Sequence, residues 1–222
     1  EQWTLVRMQG AYTNPIVIIG VPTAFGPDAV TARVRNIRYG PSDDDDTCDG
    51  HCFDIRLQEP SCLDDVHMGE RVPWMVIESG TWFSDQGKMI QAGRVLASGS
   101  DANPNVGAEA TLGGGWKDVL YHSKFPDDNV ATLSQVQTTL DPSFVKTRQQ
   151  PLVGAGYGTG FSVYLEGAAD DQRLSATTHS STHAIEHVGY IAFQHGIGAM
   201  GRDLYQAGST DPQVTDQPFG LS

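Results

Sequence analysis

The chain has 222 residues, enough for two domains of ordinary size that each bury a core. It carries 27 acidic and 14 basic residues, a net charge of −13, so we expect neither nucleic acid nor an anionic membrane surface as a partner. No apolar run reaches 18 residues, and no signal peptide precedes Trp3. We therefore expect no membrane insertion, and a mature secreted or cell-surface chain or a piece excised from one.

Taken in chain order, the predicted elements are strands. Residues 15–20 form a continuous apolar run bounded by proline and glycine, and residues 74–77 form a second, as in central strands. Residues 53–57 and 161–165 alternate between apolar and polar side chains, as a strand with one buried face requires. No segment shows a capped helical period, and turn signals recur about every ten residues. The sequence predicts an all-β protein made of antiparallel β-sandwiches.

The two halves of the chain repeat one pattern. The matched pairs are Trp3 with Trp116, Tyr12 with Phe125, Arg35 with Arg148, Phe53 with Phe161, His67 with His183, Glu70 with Glu186, Trp74 with Tyr190, and Gly80 with Gly196. A period of about a hundred residues that occurs twice indicates two copies of one domain. We assign a first domain to residues 1–97, a linker to 98–115, a second domain to 116–205 and a tail to 206–222. Duplication favours a binding or assembly module, and no nucleophile motif appears, so we expect no enzyme.

All three cysteines, Cys48, Cys52 and Cys62, lie in the first half. In a secreted chain we expect one disulfide, between Cys62 and either Cys48 or Cys52. The alternative is a zinc site that these thiolates form with His51. The acidic run at residues 43–46 is read as a solvated loop, with calcium binding as its alternative. We thus expect no cofactor, and calcium or zinc are the alternatives.

The duplicated His-x-x-Glu is the sharpest chemical feature of the chain. We expect Glu70 to pair with Arg35 and Glu186 to pair with Arg148, because an arginine–carboxylate bridge satisfies both charges across neighbouring strands. The alternative is a metal site at each copy, in which His67 and Glu70, or His183 and Glu186, supply the ligands.

The ordered motifs of both halves resemble those of the H-type lectin domain. In the first half they are a tryptophan, an aromatic residue that leads into a Pro-hydrophobic strand, Arg-Val-Arg-Asn, Phe-x-Ile-x-Leu and Val-Pro-Trp-Met-Val-Ile-Glu, and the second half follows the same order with substitutions. The resemblance covers nearly all of both repeats. It implies two six-stranded antiparallel β-sandwiches in tandem, association into trimers, and binding of galactose-type sugars near subunit boundaries.

The family's sugar pocket has a Trp-His pair directly after the Phe-x-Ile-x-Leu strand, and Pro60-Ser61 and Ala168-Ala169 stand there in this chain. The candidate carbohydrate-binding residues are Ser61, Asp64, Trp82 and His183. The resemblance thus implies an extracellular carbohydrate-binding or adhesion protein, with glycans or other extracellular proteins as partners in a trimer-based homo-oligomer. The alternative is a structural subunit of an extracellular assembly, such as a surface layer or filament, in which the lectin-like domains serve protein–protein contact.

Overall fold

The computed structural model describes residues 2–40, 48, 50–60, 63–64, 66–97, 116–152, 158–167 and 184–209. These residues form fourteen strands and no helix. In the first half they are β1 (Thr4–Arg7), β2 (Pro15–Ile19), β3 (Thr31–Arg38), β4 (Cys52–Gln58), β5 (Trp74–Glu78), β6 (Gly80–Phe83) and β7 (Met89–Ala97). In the second half they are β8 (Lys117–Leu120), β9 (Val130–Val136), β10 (Val145–Pro151), β11 (Gly160–Gly167), β12 (Glu186–Gln194), β13 (Gly196–Met200) and β14 (Asp203–Ala207). The predicted all-β antiparallel architecture is confirmed.

Each half pairs its seven strands in the same way. The first half contains a β1-β4-β3 sheet and a β2-β5 pair, and the second contains the equivalent β8-β11-β10 sheet and β9-β12 pair. The β6-β7 hairpin corresponds to the β13-β14 hairpin, and each begins at a glycine with positive φ, Gly80 and Gly196. The structure therefore reproduces the duplication that the sequence predicts.

The two halves share a sheet. Strand β7 pairs with β6 of its own half on one side and with β12 of the second half on the other, over eight residue pairs, which joins β6, β7, β12 and β9 into one four-stranded antiparallel sheet. The halves are therefore connected by backbone hydrogen bonds as well as by the 98–115 segment, which lies outside the described residues. The domain boundaries assigned from the sequence stay a prediction.

Three apolar clusters follow from this arrangement. The first half buries residues of β2, β3 and β4, such as Val17, Val34 and Phe53. The second half buries its own strands together with Met89 and Ala97, both supplied by β7. A third cluster lies between the halves and is formed by β2, β7 and β12: Ile16, Ile18, Ile90, Ala92 and Ile191. Strands β2 and β12 are buried on both faces, which explains their continuous apolar sequences.

Strand β5 departs from the prediction of a central strand. It pairs with β2, and among the described residues it has no hydrogen-bonded partner on its other side. Trp74 and Met75 are 41% and 40% exposed, whereas the equivalent Tyr190 and Ile191 of β12 are buried. The strand is therefore present as predicted but forms a sheet edge, because β7 covers β12 and no described strand covers β5.

Candidate functional site: the junction between the repeats

A fully buried ion pair connects the two halves. Arg33 projects from β3 of the first half, and its Nη2 lies 3.3 Å from Oε1 of Glu186, at the start of β12; neither side chain is exposed. Nη1 of Arg33 also donates to Oε1 of Gln58 at 2.7 Å. Its other bonds go to backbone carbonyls of the loop between β9 and β10: Thr138, Asp141 and Ser143. The guanidinium of one half is thus enclosed by the other half.

Glu186 is held in a cradle that the second half builds for it. Oε2 accepts the hydroxyl of Thr138, and Oε1 accepts the backbone N–H of Asp141 at 2.7 Å. Burial lowers the pKa of Arg33, while the carboxylate of Glu186 opposes that shift. A buried arginine that donates four hydrogen bonds to neutral oxygens and one to a carboxylate meets the condition under which a buried charge is tolerated.

The predicted pairs Arg35–Glu70 and Arg148–Glu186 are wrong. Arg35 lies 3.4 Å from Asp54 and stacks on Trp3 at 4.0 Å. Arg148 lies 3.1 Å from Glu166, on the neighbouring strand β11.

The error comes from the alignment of the repeats. Phe53 pairs with Val6 in the first half as Phe161 pairs with Val119 in the second, so Arg56 and Tyr164 are equivalent. Their cross-strand partners are Arg33 and Arg148. Arg148 is therefore the counterpart of Arg33 and not of Arg35.

The first half contains the same carboxylate cradle around Glu70. Oε2 of Glu70 accepts the hydroxyl of Thr23 at 2.5 Å, and Oε1 accepts the backbone N–H of Gly26 at 2.7 Å. Phe25 donates a further backbone N–H at 2.8 Å. Burial raises the pKa of Glu70, but these hydrogen bonds outweigh it and hold the pKa below its ordinary value. Glu70 and Glu186 are therefore equivalent in geometry as well as in sequence.

His67 occupies the place beside Glu70 that Arg33 occupies beside Glu186. Its Nδ1 lies 2.8 Å from the carbonyl oxygen of Met68 and its Nε2 lies 3.1 Å from that of Asp28. Nδ1 is also 3.9 Å from Oε1 of Glu70, and only 3% of the imidazole is exposed. The carbonyl of Met68 is the main cause that raises the pKa of His67, and the Asp28 carbonyl and Glu70 act in the same direction. Two facing carbonyls favour the imidazolium, which donates from both nitrogens.

The metal alternative places its ligands in this cradle in the first half. His67 and Glu70 do lie together, but both ring nitrogens of His67 already face carbonyl oxygens, so the ring would have to turn before it could bind a metal. Within the described ranges, no three histidine, cysteine, aspartate or glutamate side chains converge. His183, the matching ligand beside Glu186, lies outside those ranges, as do residues 43–46 of the calcium alternative.

The candidate carbohydrate-binding residues are only partly placed. Ser61 and His183 lie outside the described residues. Asp64 accepts the backbone N–H of Val66 at 3.0 Å, which is a local turn contact. Trp82 is 41% exposed on β6 and donates its indole N–H to the carbonyl of Glu78, while the adjacent Phe83 is 62% exposed. Trp82 and Phe83 therefore form a surface aromatic pair.

The disulfide joins Cys48 to Cys52, with their Cα atoms 6.2 Å apart. The predicted bridge to Cys62 is therefore wrong, because each cysteine forms one bridge and the two nearest in sequence pair with each other. Cys62 lies outside the described residues. The bridge also uses two of the three sulfurs that the zinc alternative requires.

Sequence reasoning missed Arg33 and Gln137. The side-chain amide of Gln137, in the second half, accepts the backbone N–H of Val17 at 3.2 Å and donates to its carbonyl. Arg33 lies on the outer face of its own sheet, since its neighbours Ala32 and Val34 point into the core. Both are buried by the other half, so the pattern within one repeat carries no signal for them. An alignment of Arg33 with Arg148 would have identified the arginine.

Comparison with known proteins gives one distant relative. The chain is 26% identical over 228 residues to halomucin of Haloquadratum walsbyi, an alignment that covers 98% of this chain and 2% of halomucin. No family model matches the chain, and no solved structure matches it. No helix in the described part of the chain has the length and hydropathy of a membrane span. The disulfide and the similarity to halomucin are together consistent with an extracellular location.

Proposed function

We propose that the chain is a non-enzymatic structural protein of an extracellular assembly, in which lectin-like β-sandwich repeats are joined by protein–protein contact. One observation supports this proposal above the others: the first half contributes strand β7 and the buried Arg33 to the second half. A contact with a continuous sheet, an apolar cluster and a buried ion pair resembles a domain core, which is typical of permanent interfaces.

The acidic surface and the disulfide fit the same proposal. A net charge of −13 keeps a protein soluble in salt-rich surroundings, and the Cys48–Cys52 bridge needs an oxidising compartment to persist. The similarity to a 2% share of halomucin supports a role as one part of a much longer extracellular chain.

A second candidate function is carbohydrate binding or adhesion. The exposed pair Trp82 and Phe83 supports it, because exposed aromatic rings are the platforms on which sugar faces stack. Asp64 is the candidate polar contact within the described residues, and Ser61 and His183 complete the predicted set.

A glycan-array screen combined with light scattering separates the two functions. The structural proposal expects self-assembled particles of high mass and no glycan signal above background. Binding of a defined glycan by a chain that stays monomeric would reject it and favour adhesion. In that case Trp82→Ala should abolish the glycan signal, while Leu120→Ala, at an exposed apolar residue of β8, serves as the matched control.

A further inference from the structure

Each of the two strands that form the junction inside the chain has a counterpart in the other half that lacks such a partner among the described strands. Within the chain, β7 of the first half docks on β12 of the second. Strand β14 is the counterpart of β7, and β5 is the counterpart of β12. Among the described residues β14 pairs only with β13 and β5 pairs only with β2. Within the described ranges, β14 is therefore a donor edge and β5 an acceptor edge of the same kind, and neither has the partner that its counterpart has.

The donor edge repeats the sequence and spacing of β7. Residues 89–93 read Met-Ile-Gln-Ala-Gly, and residues 204–208 read Leu-Tyr-Gln-Ala-Gly. Met89 is buried in the second core, whereas its counterpart Leu204 is 76% exposed. On β9, Leu133 is 48% exposed, whereas its counterpart Ile18 on β2 is buried between the halves. An apolar set that is buried in one copy of the pattern is left open in the other.

Two polar details of the donor edge are repeated as well. Gln91 is fully buried, and its amide donates to the carbonyl of Ser123 and accepts its N–H at 3.1 Å. Gln206 stands at the same position of β14. Gly93 lies opposite Tyr190, where an added Cβ would come within 2.7 Å of the tyrosine oxygen. Gly208 stands at the equivalent point of the second hairpin and has nothing within 4 Å.

The acceptor edge, β5, carries side chains equivalent to those that β12 presents to β7. Trp74 and Met75 take the places of Tyr190 and Ile191, and both are about two-fifths exposed. Opposite Gly208, Trp74 would find the room that Tyr190 finds opposite Gly93. The cradle of Thr23, Gly26 and Glu70 repeats the one that receives Arg33.

Arg148 is held on its sheet in the same way as Arg33, which binds the equivalent cradle. Arg33 is held by Gln58 on the next strand, and Arg148 is held in the same way by Glu166, 3.1 Å away. The side chain of Arg33 is fully buried, while that of Arg148 is 52% exposed. Arg33 therefore binds a buried carboxylate, that of Glu186, whereas Arg148 contacts no buried carboxylate of its own chain among the described residues.

We propose that β14 and Arg148 of one molecule dock on β5 and the Glu70 cradle of a second copy of this chain. The interface repeats the internal junction: Leu204 and Leu133 are covered, Gln206 binds the loop between β1 and β2, and Arg148 binds Glu70. This inference rests on the proposed structural role and names the surfaces through which it acts. The contact is head-to-tail, so copies either close into a ring or continue as a filament.

In the single molecule, His67 occupies the position beside Glu70 at which an arginine would bind. Its Nε2 contacts the carbonyl of Asp28, the counterpart of the Ser143 carbonyl that accepts Arg33. Gly26 leaves the space for the ring, since an added Cβ there would come within 2.7 Å of it. Arg148 of the second molecule takes over this carbonyl and the carboxylate, and His67 turns out of the cradle.

Complementation between two variants tests the docking. One variant, Arg148→Glu with Leu204→Asp, has a blocked donor edge, and the other, Met75→Glu, has a blocked acceptor edge. Sedimentation is run at about 1 M salt, where the screening length of roughly 3 Å removes the repulsion between acidic chains. Each variant alone should stay monomeric, their mixture should give a 1:1 dimer, and the unmodified chain should form larger species.

The control variant is Lys146→Glu with Leu120→Asp, which makes the same charge changes at exposed residues outside the proposed contact. It should associate like the unmodified chain. Circular dichroism confirms that each variant is folded. An unmodified chain that stays monomeric at about 100 μM, or blocked variants that associate as it does, would overturn the docking. If blocked variants still form large particles, the structural role stands and another surface carries it, so the two proposals fail separately.

The place of His67 is tested by His67→Ala. Removal of the competing ring should tighten association several-fold, and this gain should disappear when Arg148→Glu is added. Unchanged or weaker association in His67→Ala would overturn the exchange of His67 for Arg148.

Discussion

Glu70 and Glu186 occupy equivalent cradles, one in each half, but face different partners. Glu186 binds Arg33 of the other half, and Glu70 lies beside His67 of its own half. The threonine hydroxyl and the backbone N–H that hold each carboxylate are equivalent. The local sequence therefore determines the cradle, while the neighbouring repeat determines which cation fills it.

Strands β5 and β12 likewise differ in the burial of equivalent apolar side chains, because their neighbours differ. They pair with equivalent strands, but β12 is covered by β7, whereas no strand in the described part of the chain covers β5. Trp74 is exposed where Tyr190 is buried. Burial in this molecule is thus a property of the junction as much as of the repeat.

Removal of Glu186 should cause the largest difference in stability between variants of the two halves. Glu186→Ala leaves the guanidinium of Arg33 buried without its carboxylate, so the free energy of unfolding should fall by about 3–5 kcal/mol. Arg148→Ala, at the exposed counterpart of Arg33, should change it by less than about 0.5 kcal/mol. Urea denaturation at low protein concentration measures both, and equal losses in the two variants would contradict the asymmetry.

Loss of the disulfide should weaken one half more than the other. The second half has no cysteine, and the Cys48–Cys52 bridge closes a loop of only a few residues beside β4. Replacement of both cysteines by serine should lower the free energy of unfolding by about 2 kcal/mol in the chain-entropy model. Hydrogen exchange should locate the loss of protection around β4 rather than around its counterpart β11. A loss confined to β11 would argue against a local effect of the bridge.

The smallest effect concerns pH and distinguishes the two cradles through His67. Because the pKa of His67 is raised in the folded state, its stabilisation is fully present below the unfolded pKa of about 6.5 and is lost as pH rises through the folded value. The difference in stability between the unmodified chain and His67→Gln should therefore be larger at pH 5.5 than at pH 9. Denaturant titrations at both pH values measure it, and a difference that grows with pH would have the wrong sign.

The sequence was sufficient for features that one repeat specifies by itself. Alternation in residues 53–57 and 161–165 predicted β4 and β11, and the duplicated motifs predicted equivalent halves. It failed where two repeats meet. Arg33 and Arg35 lie on the same side of β3, and only contact with the second half buries one of them. Trp74 reads as a core residue, since a local pattern does not say whether a neighbouring strand will cover it.

The small residue opposite Tyr190 has a consequence for how the halves find each other. Because side chains alternate with a period of two, a slip of two residues keeps every apolar side chain on its own face, so the alternation alone does not exclude it. Tyr190 fits opposite Gly93, whereas a slip of two residues would place Gln91 or Val95 there and bring a side chain into the ring. Gly93 therefore specifies the register of β7 on β12. A Gly93→Val chain should populate more than one register, in addition to losing stability in the correct one.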